Sequence, residues 1–282
     1  APYCRRAVRN PPAMSLPSSS AADLSLLAAL AQASLKAGEV IMRIRAEGIT
    51  VNAKPDQSPV TAADLAAEEV LHAELARILP GVPVIAEEAV SQGKGEAPAD
   101  SFLLVDPLDG TKEFIGASGE FTVNIGLVTD GVPAFGIVLA PAVARLYAGM
   151  TTSAGGAAFA AGLEPDAGLW TPIRCRPAPE HGLVAVASRS HPDAGTEAIL
   201  AGLDVAERMS CGSALKFGLV AEGRADIYPR LGTVCEWDVA AGHALVRAAG
   251  GSVCRPDGSP LPYGRTEAAY RVHGFIARGA AA

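Results

Sequence analysis

Residues 102–114 read FLLVDPLDGTKEF. An apolar, strand-like stretch from Phe102 to Val105 gives way to Asp106, Pro107, Leu108, Asp109, Gly110 and Thr111. Asp-Pro and Asp-Gly are both turn signals, and turn chemistry alone accounts for them. The pattern also puts two carboxylates three positions apart, followed by a hydroxyl, where a buried strand ends. Strand ends and helix starts are where folds that mix helices and sheets place ligands.

Other acidic residues occupy similar positions. The strand-like VPVIA (82–86) runs into Glu87 and Glu88, and Asp238 opens a late helical stretch, EWDVAAGHALVRAAGG. If the strands before Glu87 and Asp106 are neighbours, Glu87, Asp106 and Asp109 crowd together. Carboxylates so placed repel one another unless a cation intervenes. The five His are dispersed with no HExxH, and the five Cys form no CxxC pair. A metal here takes carboxylate oxygens, which points to a hard ion such as magnesium. Each residue also has a simpler reading. Glu87 and Glu88 suit a solvated loop, Asp238 suits a helix N-cap, and Asp64 completes a capping box with Thr61.

Composition narrows the classes. The chain has 282 residues, 49% hydrophobic and 19% charged, with a net charge of −7. That argues against binding a nucleic-acid polymer, which needs surplus Lys and Arg. Small phosphorylated substrates remain compatible, because bound cations reverse the local sign. Scattered cysteines, odd in number, argue against a disulfide framework and suit a reducing cytoplasm. No apolar run approaches the length of a transmembrane segment. Residues 1–20 carry Arg5, Arg6, Arg9, three prolines and Ser18–Ser20 with no apolar core. They read as a disordered extension, within which Met14 is a candidate natural start.

Periodicity predicts a helix from Ala21 to about Arg45 capped by Ser20, a loop around Lys54–Ser58, and a helix from Ala62 to Leu79. FTVNIGLV, VPAFGIVLA and ARLYAGMT read as an antiparallel meander, with Asp130-Gly131 as a hairpin turn. Beyond a Pro/Gly-rich boundary, strands at 183–188, 225–229, 252–255 and 272–277 alternate with helices near 193–203, 213–222 and 239–249. The expected class is α+β in two halves, 21–162 and 163–282, sharing a cleft.

VDPLDGTKEF, the upstream VIAEEA and EWDVAAGHALVRAAGG together resemble the signature segments of the inositol monophosphatase-like, magnesium-dependent, lithium-sensitive phosphatases. The resemblance covers about residues 24–277. Within that superfamily, DGTKEF followed by GEFTVNIGL is most similar to the bacterial 3′(2′),5′-bisphosphate nucleotidases. Inositol monophosphatases more often carry Asn-Phe where this chain has Lys112-Glu113-Phe114.

The resemblance implies a layered α/β/α/β/α architecture and a site for two or three Mg2+ ions. Glu87, Asp106, Asp109, Asp238 and the Leu108 carbonyl match the metal ligands, with Pro107 and Gly110 shaping a tight turn between them. Glu88 stands behind them, where a further ion is expected. Asp64 and Thr111 match the pair that activates the attacking water, and the metal supplies the acidity. Gly110 and Thr111 would offer N–H groups to the phosphate. ASRSH (187–191) resembles a nucleotide-contacting segment, with Ser188 and His191 as contacts and Arg189 either a contact or structural. Gly212, Ser213 and Lys216 in CGSALKFG, and Arg230 after DIYP, complete the substrate set. Lys216 and Arg230 would serve a second phosphate, although each alone reads equally well as surface charge.

The implied reaction is hydrolysis of 3′-phosphoadenosine 5′-phosphate to AMP and phosphate, a step linked to sulfate assimilation. The same chemistry on inositol monophosphate or fructose 1,6-bisphosphate is the nearest alternative. A catalytically decayed phosphate- or metal-sensing protein is a more distant one. A homodimer, and a cytoplasmic location with peripheral association to the inner membrane, complete the expectations.

Overall fold

The computed structural model describes residues 20–48, 51–53, 59–116, 118–163 and 170–281. The expected extension at 1–20, apart from Ser20, and the Lys54–Ser58 loop lie outside these. Helix α1 (Ala21–Glu47) starts at a capping box between Ser20 and Asp23. Strands β1 (Val51–Ala53) and β2 (Pro59–Thr61) pair antiparallel, so the expected loop is flanked by a short ladder. Helix α2 (Ala62–Ile78) follows.

A seven-stranded sheet comes next. It is built from β3 (Val84–Ala86), β4 (Ser101–Asp109), β5 (Thr122–Thr129), β6 (Val132–Ala140), β7 (Arg145–Thr152), β8 (Gly155–Gly162) and β9 (Thr171–Pro172), in that spatial order. Short helices α3 (Glu87–Ser91) and α4 (Thr111–Ile115) leave the ends of β3 and β4. The β5–β6 turn is Asp130-Gly131, both at positive φ (51° and 73°), as the primed hairpin turn requires. The second sheet runs in the order β11 (Val205–Cys211), β10 (Leu183–Ser188), β12 (Ile227–Arg230), β16 (Phe275–Arg278), β14 (Ser252–Cys254). Its helices are α5 (Ala194–Ala201), α6 (Leu215–Ala221) and α7 (Glu236–Ala248). A separate ladder joins β13 (Val234–Cys235) to β15 (Arg271–Val272).

Period-two alternation along the first sheet builds the layers. Leu103, Val105, Val123, Ile125, Ile137 and Leu139 face α1 and α2, where they pack with Leu27, Leu30, Ile41 and Leu71. Leu104, Val138 and Tyr147 face the other way, into a core shared with α6, α7 and the second sheet. Leu200 of α5 packs on the outer side of that sheet, against Ala185, Ile227 and Ile276. The order is helix, sheet, helix, sheet, helix, as expected. Among the described residues α1 alone is long and apolar enough to cross a membrane. Its fully buried Leu27, Leu30 and Ile41 make it a core helix instead.

Helix α7 lies unusually close to the first sheet. Gly126, Gly136 and Gly149 are direct cross-strand partners on β5, β6 and β7. A Cβ at Gly126 or Gly149 would come within 2.7 Å of Ala240 Cβ or Leu245 Cα, and one at Gly136 would collide with the Ala241 carbonyl. A groove of missing side chains therefore seats α7 and fixes where its N-terminus points.

Candidate active site

Strands β3 and β4 are parallel neighbours, with Ala86 opposite Val105, so Glu87 and Asp106 leave the sheet at the same level. Asp238 reaches them from α7. It is not the N-cap expected of it. Cys235 holds that position, and Asp238, three residues on, accepts the Cys235 N–H at 2.7 Å. Carboxylate oxygens of Glu87, Asp106 and Asp238 lie within 4.8 Å of one another.

The strand does not stop at Asp106. Strand β4 runs on to Asp109 through a one-residue slip against β5, with Asp106 opposite Asn124 and Asp109 opposite Thr122. Pro107 sits in that bulge, where its missing N–H leaves no ladder bond unmade. The Asp106 carboxylate accepts the Leu108 N–H at 3.0 Å. Thus a bulge, rather than a tight turn, brings the two Asp side chains round. Oδ2 of Asp109 accepts from Ala214 N at 2.7 Å, and from Thr122 Oγ1 and Asn124 Nδ2 at 3.4 Å. Gly110, at φ 89°, opens α4.

Burial, then Glu87, Asp109 and Asp238, hold the Asp106 carboxyl well above the usual range. Asp238 is pushed up to about 8 by burial, then by Asp109 and Glu87. Burial also raises Asp109, against the pull of the Lys216 ammonium. Carboxylates that repel this strongly in a partly buried cluster form an oxygen donor set suited to a hard divalent cation.

Asp64 serves two purposes. Its Oδ2 accepts from the Thr61 N–H and hydroxyl at 2.8 and 2.6 Å, closing the capping box of α2. Its Oδ1 accepts the Thr111 hydroxyl at 3.3 Å. Glu68, one turn along α2, escaped the sequence reading. It accepts the N–H groups of Glu88 and Ala89, both at 2.8 Å, and so ties α3 to α2. The spacing Asp64/Glu68 on one helix face was the available signal.

The second half of the chain closes a cleft of about 590 Å3 lined by Glu87, Asp109, Asp238, Ser188, His191, Ser213, Lys216 and Arg230. Ser213 Oγ donates to the Asp109 carbonyl at 2.7 Å. Lys216 is not surface charge. It is 3% exposed, donates to the Ser213 and Cys211 carbonyls at 2.6 and 3.2 Å, and lies 5.2 Å over the Tyr228 ring. Burial lowers its pKa. Arg230 keeps a buried Nε with no hydrogen-bond partner among the described residues. His191 meets Lys112 Nζ at 3.3 Å, and burial, then Lys112, lowers its pKa.

Two members of the expected set are engaged with protein instead. Arg189 forms a forked ion pair with Glu120 at 2.6 and 3.0 Å, which favours its structural reading. Glu120 also takes the Gly212 N–H at 2.7 Å. Glu113, also missed in the sequence, accepts the Ser190 hydroxyl. Together, Glu113 and Glu120 lash the 188–191 and 210–213 segments to the carboxylate side of the cleft.

The chain belongs to the inositol monophosphatase family, whose model matches residues 23–280. Within that family it is similar to the 3′(2′),5′-bisphosphate nucleotidase CysQ of Escherichia coli K12, with 42% identity over 240 residues, 84% of this chain and 94% of the relative. Among solved structures it resembles CysQ from Bacteroides thetaiotaomicron, with a TM-score of 0.74, 38% identity, and 90% and 97% of the two chains covered. The inositol monophosphatase of Anabaena sp. PCC 7120 matches with a TM-score of 0.70 and 27% identity over 92% of each chain.

Proposed function

We propose that this chain is a magnesium-dependent phosphomonoesterase that hydrolyses 3′-phosphoadenosine 5′-phosphate to AMP and phosphate. The observation that carries the reading is the Thr111 hydroxyl donating to Asp64 Oδ1 beside the Glu87–Asp106–Asp238 cluster. Because the Thr111 proton is committed to Asp64, the Thr111 oxygen is left as an acceptor. It can take a hydrogen bond from the attacking water and aim that water at phosphorus.

Glu87, Asp106, Asp109, Asp238 and the Leu108 carbonyl are the proposed ligands of two or three Mg2+ ions, with Glu88 behind them. Magnesium, when bound, supplies Lewis acidity for activating water and for neutralising the leaving oxygen. Backbone N–H groups of Gly110 and Thr111 face the phosphate in this reading. Ser188, His191 and Ser213 contact the nucleoside, while Lys216 and Arg230 balance the second phosphate. Gly212 shapes the loop through Glu120. The similarity to the CysQ nucleotidases, at 38–42% identity, supports the nucleotide over inositol or sugar phosphates.

The test is phosphate release with magnesium from 3′-phosphoadenosine 5′-phosphate, inositol 1-phosphate and fructose 1,6-bisphosphate, compared as kcat/KM. The nucleotide is expected to lead by tenfold or more, about 1.4 kcal/mol of transition-state discrimination. A lead for inositol phosphate would overturn the substrate assignment, and no release from any of them would favour a sensing role. Millimolar lithium should inhibit. Homodimeric assembly and a cytoplasmic location, with peripheral contact to the inner membrane, belong to the same proposal and are read by gel filtration and fractionation.

A further inference from the structure

A second cavity, of about 270 Å3, lies behind the β13–β15 ladder. It is lined by Arg255, Arg265, Arg271 and His273, with Asp257 as the sole acid and Pro256, Leu261, Pro262 and Val272 as apolar wall. Three arginines against one acid line this small cavity, in a chain whose net charge is −7. Among the described residues neither Arg255 nor Arg271 has an ion pair. Arg265 is paired with Glu267 at 2.8 Å, a contact open to water on both sides. Asp257 is ionised near Arg255, whose charge acts on it more weakly than its hydrogen bonds do. The Ser259 hydroxyl and N–H, at 2.6 and 2.9 Å, are the main cause of its lowered pKa.

The backbone around this cavity is held firmly. Fully buried Glu236 accepts the Gly264 and Arg265 N–H groups at 2.6 and 3.0 Å. Ala269 and Tyr270 are consecutive non-glycine residues in the left-handed region, at φ 48° and 56°. That costly conformation is fixed by the Tyr270 N–H on the Arg265 carbonyl and by the Glu236 N–H on the Tyr270 carbonyl. The Arg255 turn closes on itself through its N–H to the Ser259 carbonyl at 2.8 Å. The cations are thus presented by a fixed scaffold, which lowers the ordering cost of binding an anion. Arg271 lines both this cavity and the catalytic cleft, so the two share a wall.

We propose that this cavity is a second anion site, distinct from the catalytic cleft, for a tetrahedral oxyanion, either free or as the head of a small organic phosphate. The guanidinium groups match oxyanion geometry with forked N–H donors. The apolar wall and the volume leave room for a few carbon atoms beyond the headgroup.

The experiment uses the magnesium-loaded full chain and two probes it cannot hydrolyse, inorganic sulfate and phenylphosphonate. Arginine labelling by phenylglyoxal is followed by peptide mapping, with and without 10 mM probe. Arg255 lines this cavity and not the cleft, so its labelling reports on this site alone. Its labelling is expected to slow at least fivefold, while exposed Arg43 on α1 is unaffected. Stronger protection by phenylphosphonate identifies an organic phosphate as the ligand class, and equal protection identifies the oxyanion alone. In Arg271→Ala, the concentration giving half-protection of Arg255 should rise at least fivefold. Unchanged Arg255 labelling, equal protection of Arg43, or an Arg271→Ala variant protected like the wild type would each overturn the site.

Discussion

Replacing Asp238 with Asn should stabilise the metal-free protein while destroying its catalytic function. The Asp238 carboxyl is raised from 3.8 to about 8. A carboxyl raised in the folded state binds a proton that the unfolded chain has already lost, so stability falls as pH climbs from 3.8 to 8. At about 1.4 kcal/mol per unit, the loss at pH 7 is roughly 4 kcal/mol. Its side chain keeps some contact with solvent in the cleft, which reduces the figure to about 2–3 kcal/mol. Asparagine removes that loss, and its side-chain oxygen still accepts the Cys235 N–H. In EDTA at pH 7–8 the variant should melt roughly 5–10 °C above the wild type. At pH 4 the two should coincide. Excess magnesium should close the gap, because a cation at a hundred times its Kd adds about 2.7 kcal/mol to the wild type. The assay is thermal unfolding by circular dichroism across pH, with EDTA or magnesium. An Asn variant no more stable than wild type in EDTA at pH 8, or one with an undiminished magnesium shift, would refute the reasoning.

Gly136→Ala should cost about 1–3 kcal/mol, because the new Cβ collides with the Ala241 carbonyl, and should weaken magnesium binding as α7 lifts Asp238. Denaturant titration and calorimetry check the two effects. Thr111→Val keeps the shape but removes the hydroxyl bonded to Asp64, so kcat should fall by about 100-fold or more with little change in melting temperature. Burial and the Arg247 charge hold the His243 imidazole down at about 4, and it stays neutral beside the Tyr263 hydroxyl at 2.9 Å. Its stabilising share is complete above pH 6.5 and is lost as pH falls towards 4, about 3 kcal/mol in all. His243→Gln should therefore bind about one proton fewer on unfolding at pH 5, measured from the pH dependence of the unfolding midpoint. Arg189→Ala should raise KM for the nucleotide a few-fold at unchanged kcat. Its half-exposed pair with Glu120 contributes about 1 kcal/mol or less to stability, so the melting temperature should barely move.

Local patterns carried the sequence reading wherever one element's chemistry was self-contained. The capping boxes at Ser20 and Thr61, the Asp130-Gly131 turn, and alternation along β4 to β7 all depend on residues a few positions apart. Strand β8, GGAAFAAG, has almost no β-formers, and it exists because β7 pairs with it along its whole length. Strand β11, VAERMSC, is a charged edge strand paired only with β10, and β13 and β15 are two residues each. No local signal marks such elements. The same reasoning explains the site. Lys216 looks like surface charge until the Cys211 and Ser213 carbonyls fold round its ammonium. Arg189 reads as either a substrate contact or a structural residue until Glu120, 69 positions away, takes both of its terminal nitrogens.

For Asp64 and Asp238, the structural and functional readings coincide. Each stands at the third position of its helix, and each gives one oxygen to the N–H of the residue that opens that helix, Thr61 or Cys235. Capping fixes the carboxyl plane and uses up one oxygen. In Asp64 the other oxygen then meets Thr111. A capping box is thus a way to aim a buried carboxylate without any further support, and it explains why the capping reading was correct yet incomplete for Asp64 and was displaced by three residues for Asp238. Thr61→Ala should accordingly cost more activity than its distance from the reacting phosphate suggests, with a larger loss in kcat than the roughly 1 kcal/mol lost with a cap would give on stability alone. Equal kcat in that variant would mean that Thr111 and the surrounding packing hold Asp64 by themselves.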